Sequence, residues 1–101
     1  MTTLMMVARD TMIVEVAELL QKNGVNAYTR LNKVEGKGET GTVVGSFFYP
    51  GFNVVILAVL PSDQADKVVS VLKTFHAARV KAMHGEPIPF KLFSFPCEEL
   101  I

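Results

Sequence analysis

The stretch Phe52–Leu60, with the sequence F-N-V-V-I-L-A-V-L, is the strongest strand signal in the chain and limits the possible folds more than any other segment. Almost every position in it is apolar, so the side chains on both faces of the strand must be covered. A strand of this kind lies in the middle of a sheet rather than at its edge. The sequence therefore predicts a sheet with Phe52–Leu60 at its centre.

The residues before this strand predict a strand, a helix and a second strand. Leu4–Ala8 is a short apolar run and is interpreted as a buried strand. Asp10 is expected to be the N-cap of a helix that ends at Asn23-Gly24, a pair typical of a helix C-terminus. Ala27–Val34 is expected to form the second strand. The apolar residues of the helix recur with helical spacing at Ile13, Val16, Ala17 and Leu20.

The residues after the central strand predict one more helix and one more strand. Pro61-Ser62-Asp63 opens the second helix, and Pro87 with Pro89 breaks the chain beyond it. Phe90–Phe95 is expected to form the last strand before Pro96. The apolar positions of the second helix are Ala65, Val68, Val69, Leu72 and Phe75.

The resulting order, β-α-β-β-α-β, predicts an α+β fold of the ferredoxin-like type. Right-handed crossovers place both helices on one face of a four-stranded antiparallel sheet. We expect residues 1–101 to form one domain, the usual size for a single core. The link between the second and third strands, Glu35–Gly51, is long for this fold, and long links in small domains are usually functional.

The composition limits the classes of function. Ten basic residues balance ten acidic ones, which argues against a nucleic-acid binder. One cysteine cannot form an internal disulfide, so a cytoplasmic location is expected. No apolar run approaches the ~20 residues of a membrane span, so direct membrane insertion is not expected.

A glycine-rich segment follows the second strand. Gly36, Gly38 and Gly41 lie within Gly36-Lys37-Gly38-Glu39-Thr40-Gly41. Glycine can adopt positive φ, so this backbone can turn tightly and present N–H groups to an anion. Lys37 can add positive charge. The pattern therefore suggests an anion-binding segment, although glycines in this arrangement can also simply end a strand.

Four segments, in order, resemble the P-II signal-transduction family over nearly the whole chain. Gly24–Thr29 resembles the family's glycine and threonine on the second strand, and Gly36–Gly41 resembles the entry to its large T-loop. Val59–Asp63 is similar to its exit from the third strand into the second helix. Lys91–Phe95 resembles the lysine-led final strand.

The resemblance implies a set of ligand-binding residues for an adenine nucleotide such as ATP, ADP or AMP. Thr29 is expected to contact the adenine edge, and Lys91 is expected to contact phosphate. Gly36 and Gly38 would offer backbone N–H groups, and Lys37 would add charge. No catalytic residue, resident cofactor or metal ligand is expected.

The resemblance also implies a mode of action. The protein is expected to be a cytoplasmic, non-enzymatic homotrimer of signal transduction in nitrogen regulation, with a small anionic ligand in clefts between its subunits. Glu35–Gly51 would correspond to a T-loop that changes its order on ligand binding. That change would alter docking on a membrane transporter or a metabolic enzyme.

Two other functions remain open. The first is a metal-binding trimer of the similar copper-tolerance family, which shares the fold and for which His76, His84 and Cys97 are the candidate ligands. The second is a small enzyme on the same scaffold, for which His84 is the candidate catalytic residue.

A basic cluster of Arg79, Lys81 and His84 is expected after the second helix. In a trimer it would face the glycine-rich segment of a neighbouring subunit. Alternatively, these cations complement the C-terminal end of the helix dipole. The glutamates, including Glu15, are expected to lie on solvated faces.

Overall fold

The computed structural model describes residues 1–36 and 51–101, and its elements follow the β-α-β-β-α-β order predicted from the sequence. The elements are β1 (Thr2–Ala8), α1 (Asp10–Lys22), β2 (Thr29–Gly36), β3 (Gly51–Leu60), α2 (Ser62–Ala82) and β4 (Phe90–Pro96).

The four strands form one antiparallel sheet with the order β2-β3-β1-β4. β3 therefore lies inside the sheet, which confirms the central position predicted for Phe52–Leu60. β2 and β4 are the two edge strands. The ferredoxin-like α+β fold predicted from the sequence is confirmed.

The core lies between the two helices and one face of the sheet. Alternate residues of β1 and β3 point into it. Leu4 pairs with Ala58 and Met6 pairs with Ile56 across the two strands, and all four side chains lie in the core. Leu20 of α1 is fully buried against this face. Each large apolar side chain buried in this way contributes about 1.5–3 kcal/mol to stability. The same face holds the other buried helix residues, Met12, Ile13, Val16, Ala65, Val68 and Leu72.

The N-terminus of α1 differs from the prediction, whereas its C-terminus agrees with it. Arg9 occupies the N-cap position, and Asp10 is the first helical residue, where its negative charge favours the positive end of the helix dipole. At the other end, the Asn23 side chain donates a 2.7 Å hydrogen bond to the Leu19 carbonyl. Gly24 follows with a positive φ of 82°, as expected for a glycine that ends a helix.

α2 extends further than the sequence interpretation indicated. It runs to Ala82, so Arg79 and Lys81 belong to its last turn rather than to a segment after it. The helix ends when the Gly85 N–H bonds the Val80 carbonyl at 2.9 Å, with both His84 and Gly85 at positive φ.

The opposite face of the sheet, which we call the open face, carries no helix in the part of the chain that the structure describes. Leu31, Val59 and Phe95 on this face are between 43% and 51% exposed. Their side chains belong to β2, β3 and β4, so the exposed apolar surface crosses the sheet. The prediction that strands are apolar on both faces is therefore confirmed for β3.

Candidate functional site

Thr29 and Lys91, two of the residues expected to bind ligand, both lie on the open face. Thr29 begins β2 and pairs with Leu57 of β3. Lys91 is the second residue of β4 and pairs with Val7 of β1. The neighbours of Leu57 and Val7 along their strands point into the core, so Leu57 and Val7 point to the opposite face. Residues that pair across a sheet share a face, so Thr29 and Lys91 also point to the open face.

The sheet order separates these two residues within one chain. Thr29 is on one edge strand and Lys91 is on the other, with β3 and β1 between them. Neighbouring strands are about 4.8 Å apart, so three spacings place the two backbones about 14 Å or more apart. One chain therefore places the expected adenine contact and the expected phosphate contact on opposite edges of the sheet.

The glycine-rich segment is only partly within the described residues. Gly36 ends β2 and pairs with Gly51, the first residue of β3. Gly36 therefore lies at the end of the sheet from which β4 starts, since Phe90 pairs with Ala8 and Ala8 pairs with Val54. Lys37 and Gly38, like the rest of the T-loop-like segment through residue 50, lie outside the described residues.

A β-bulge in β2 forms a cleft that sequence reasoning missed. The register of β2 against β3 shifts between Leu31 and Val34, and Lys33 within the shift has a positive φ of 55°. The Arg30 Nε donates a 2.8 Å hydrogen bond to Oδ1 of Asn32. A conformation that is unfavourable for lysine persists only where the surroundings impose it, which makes the bulge a candidate site feature.

The bulge cleft has a volume of about 380 Å³. It lies beside the start of α1 and reaches β3, and it is lined by Asp10, Arg30, Asn32, Lys33, Phe52, Asn53 and Val54. Two cations face a single carboxylate in this lining, so the cleft suits a polar ligand that carries negative charge.

Asn53 of β3 stabilises the bulge from the neighbouring strand. Its side chain is 1% exposed, and its Nδ2 donates a 3.2 Å hydrogen bond to the Val34 carbonyl. Val34 follows the bulge and lies two residues before Gly36, where β2 ends. The buried amide therefore links the central strand to the backbone from which the glycine-rich segment departs.

The prediction that the basic cluster follows α2 is wrong for Arg79 and Lys81, which lie within the helix. Arg79 lies within α2 and forms an ion pair with Glu15 of α1. Its guanidinium also lies 5.3 Å from the ring centre of Phe75. Arg79 thus ties the two helices together, and Glu15 is not simply solvated. Arg79 and Lys81 are in the last turn of α2, which agrees with the alternative interpretation that they complement the helix dipole.

Metal binding finds no support in the described residues. Within residues 1–36 and 51–101, no three His, Cys, Asp or Glu side chains come close enough to hold an ion. His84 lies in the turn that ends α2, and Cys97 lies beyond β4. Neither of the described helices has the length and apolarity to cross a membrane.

The chain matches one family by sequence. The model of the family "Nitrogen regulatory protein P-II" matches residues 1–100. No curated protein matches the chain.

Solved structures with similar folds include PII-like proteins. CPII from Thiomonas intermedia K12, bound to ADP, AMP and acetate, has a TM-score of 0.64 at 18% identity, over 92% of this chain and 81% of that chain. CPII from the same organism, bound to ADP, AMP and bicarbonate, has a TM-score of 0.60 at 17% identity, over 99% and 94% of the two chains. A PII-like protein from Thermus thermophilus has a TM-score of 0.58 at 13% identity, over 93% and 82%.

Proposed function

Because the chain belongs to the nitrogen regulatory protein P-II family, we propose that it is a non-enzymatic regulator that binds an adenine nucleotide between the subunits of a homotrimer. The observation that carries this proposal is the position of Thr29 and Lys91 at opposite edges of one open face. Two half-sites at opposite edges form one enclosed cleft when the β2 edge of one copy approaches the β4 edge of another.

A contact between the β2 edge and the β4 edge favours one kind of assembly. A twofold dimer uses the same patch on both copies, so it would pair β2 with β2 or β4 with β4. A β2-to-β4 contact is heterologous, and heterologous contacts form rings when the rotation closes. A ring of three is the family's arrangement. It would also cover the exposed apolar residues Leu31, Val59 and Phe95 of the open face.

In such a cleft each residue has a distinct role. The Thr29 hydroxyl of one subunit would bond the edge of the adenine ring, and Lys91 of the next subunit would contact the phosphates. Gly36 would add a backbone N–H, with Lys37 and Gly38 contributing from the glycine-rich segment. CPII, which shares the fold, is bound to ADP and AMP, which supports this choice of ligand.

Signalling would follow from where the ligand sits. Gly36 and Gly51 are the two strand residues from which the T-loop-like segment departs. A nucleotide that binds beside Gly36 favours those arrangements of the segment that improve its contacts. A partner that recognises the segment must then be coupled to the nucleotide reciprocally. We propose a membrane transporter or a metabolic enzyme as the partner, and the cytoplasm as the setting.

Calorimetric titration with AMP, ADP and ATP tests the proposal. A charge-assisted contact contributes about 1.5–3 kcal/mol, so Lys91→Ala should weaken nucleotide binding by roughly ten- to a hundredfold. Lys37→Ala should weaken it less, because Lys91 starts a paired strand that positions its side-chain stem before the ligand binds. The matched control is Lys67→Ala, since Lys67 is exposed on α2 and away from the open face. Absence of binding for all three nucleotides in the unmodified protein would reject the proposal.

A further inference from the structure

A pocket between α2 and β4, which we call the edge pocket, lies on the helix side of the sheet and away from the open face. Its volume is about 220 Å³. It is lined by Leu72, Lys73, His76, Phe90 and Leu92. Leu72 and Phe90 are buried and form an apolar floor, whereas Lys73 and His76 are exposed at the rim. None of the described lining residues is acidic. The pocket therefore suits an apolar group that carries negative charge beside it.

The segment that follows β4 has the complementary chemistry. Glu98 and Glu99 are exposed, and they precede two apolar residues, Leu100 and Ile101. Leu100 is 82% exposed. A large aliphatic side chain in this position loses the free energy that burial would provide, about 1.5–3 kcal/mol.

The segment cannot reach the edge pocket of its own chain. A strand advances about 3.3 Å per residue, so Leu92 lies about 17 Å back along β4 from Cys97. Leu100 can extend at most about 10 Å from Cys97, even if the chain reverses direction there.

The position of α2 gives the same result independently. The chain leaves β4 at the end of the sheet where the Thr2 and Ser62 hydroxyls are 3.1 Å apart and where the Cys97 N–H bonds the Met1 carbonyl. Ser62 begins α2. A helix rises 1.5 Å per residue, so His76 lies about 21 Å along α2 from that end.

We propose that the edge pocket receives residues 98–101 of a second copy of this chain. Leu100 fills the apolar space over Leu72 and Phe90, and Glu98 or Glu99 pairs with Lys73. The contact is on the helix side of β4, whereas the proposed nucleotide cleft uses the open face. The two therefore fail or succeed separately.

Disulfide trapping between two chains tests this contact directly. Both chains carry Cys97→Ser, so that neither retains its natural thiol. One copy carries Ile101→Cys, and a size-tagged copy carries His76→Cys; both positions are exposed, so folding is preserved. Oxidation of the mixture should give a heterodimer. A copy with Lys67→Cys, about 14 Å from His76 along the same helix, is the control and should cross-link at least tenfold more slowly.

Two further variants separate docking from random collision. Leu100→Ser in the Ile101→Cys copy should slow cross-linking about tenfold or more, because it removes the apolar anchor. Lys73→Glu in the His76→Cys copy should slow it roughly two- to fivefold, the effect of an exposed ion pair. Adding Glu98→Lys with Glu99→Lys to the other copy should restore the rate.

The outcomes are distinct. A heterodimer that responds to both changes supports the contact. Cross-linking at the rate of the Lys67→Cys control overturns it. So does a disulfide that forms within one chain when His76→Cys and Ile101→Cys are placed together. Nucleotide titration of the same variants reports separately on the proposed function, and these substitutions should leave it unchanged.

Discussion

Replacing Asn53 by alanine should destabilise the protein by about 1–3 kcal/mol. The Asn53 side chain is 1% exposed, and its amide donates to the Val34 carbonyl at 3.2 Å. Alanine removes this donor from a partly buried site and with it the hydrogen bond to the Val34 carbonyl. Loss of a buried polar side chain together with its hydrogen bond costs about this much, whereas the loss of an exposed hydrogen bond costs much less.

Urea unfolding measures the effect. The slope of the unfolding free energy with urea is about 1–3 kcal/mol per M for a protein of this size. A loss of about 2 kcal/mol therefore lowers the unfolding midpoint by roughly 1 M. All variants must be compared at one protein concentration, because assembly of subunits raises apparent stability by mass action.

The control is Asn26→Ala, since Asn26 is exposed and lies between α1 and β2. It should change the midpoint by no more than a few tenths of a M. Equal midpoints for Asn53→Ala and the unmodified protein would show that the amide does not hold the bulge. The proposed link between the central strand and the start of the glycine-rich segment would then be refuted.

Three other changes follow from the packing. Leu20→Ala, at a fully buried position, should cost about 2–5 kcal/mol in urea unfolding, and a cost below 1 kcal/mol would contradict the described core. Arg79→Ala should cost only about 1 kcal/mol because the ion pair with Glu15 is partly exposed, and Glu15→Gln combined with it should add little further loss. In the proposed trimer Val59 lies in the contact between subunits, so Val59→Asp should lower the mass measured by light scattering to that of a monomer. Val14→Asp, on the outside of α1, should leave the mass unchanged.

The fold was predictable because its main signals are local. Phe52–Leu60 is apolar at nearly every position, and this requires a central strand regardless of the partners. The apolar residues of both helices recur at helical spacing, which locates the core-facing sides. The order of elements and the handedness of crossovers then leave few arrangements of the sheet.

The element ends were less accurate for physical reasons. Ala27 and Tyr28 were assigned to β2, but the strand begins at Thr29 and continues to Gly36 because Gly36 pairs with Gly51. Gly36, one of the glycines that indicated a strand end, is therefore held by pairing across the sheet. α2 was underestimated at its C-terminal end, where Ala77 and its neighbours are good helix formers and continue the helix.

From the sequence, a site residue could be proposed only where its own chemistry and position match a motif. Lys91 was identified because a lysine that starts a strand resembles a family motif. The bulge cleft at Arg30 and Lys33 depends on a register shift between two strands, and no local pattern specifies which residues slip. The ion pair that engages Arg79 likewise depends on how α1 and α2 pack, which the spacing within either helix does not determine.

Nucleotide binding by mixed oligomers tests whether Thr29 and Lys91 act together only across two subunits, on which the proposed function depends. One chain carries Thr29→Tyr, which obstructs the adenine position, and the other carries Lys91→Glu, which repels phosphate; neither should bind nucleotide alone. Co-expressed in equal amounts, they should form mixed trimers in which about a quarter of the clefts combine an intact Thr29 with an intact Lys91 and regain binding. Mixed trimers that are verified by native mass spectrometry and still bind no nucleotide would contradict the account.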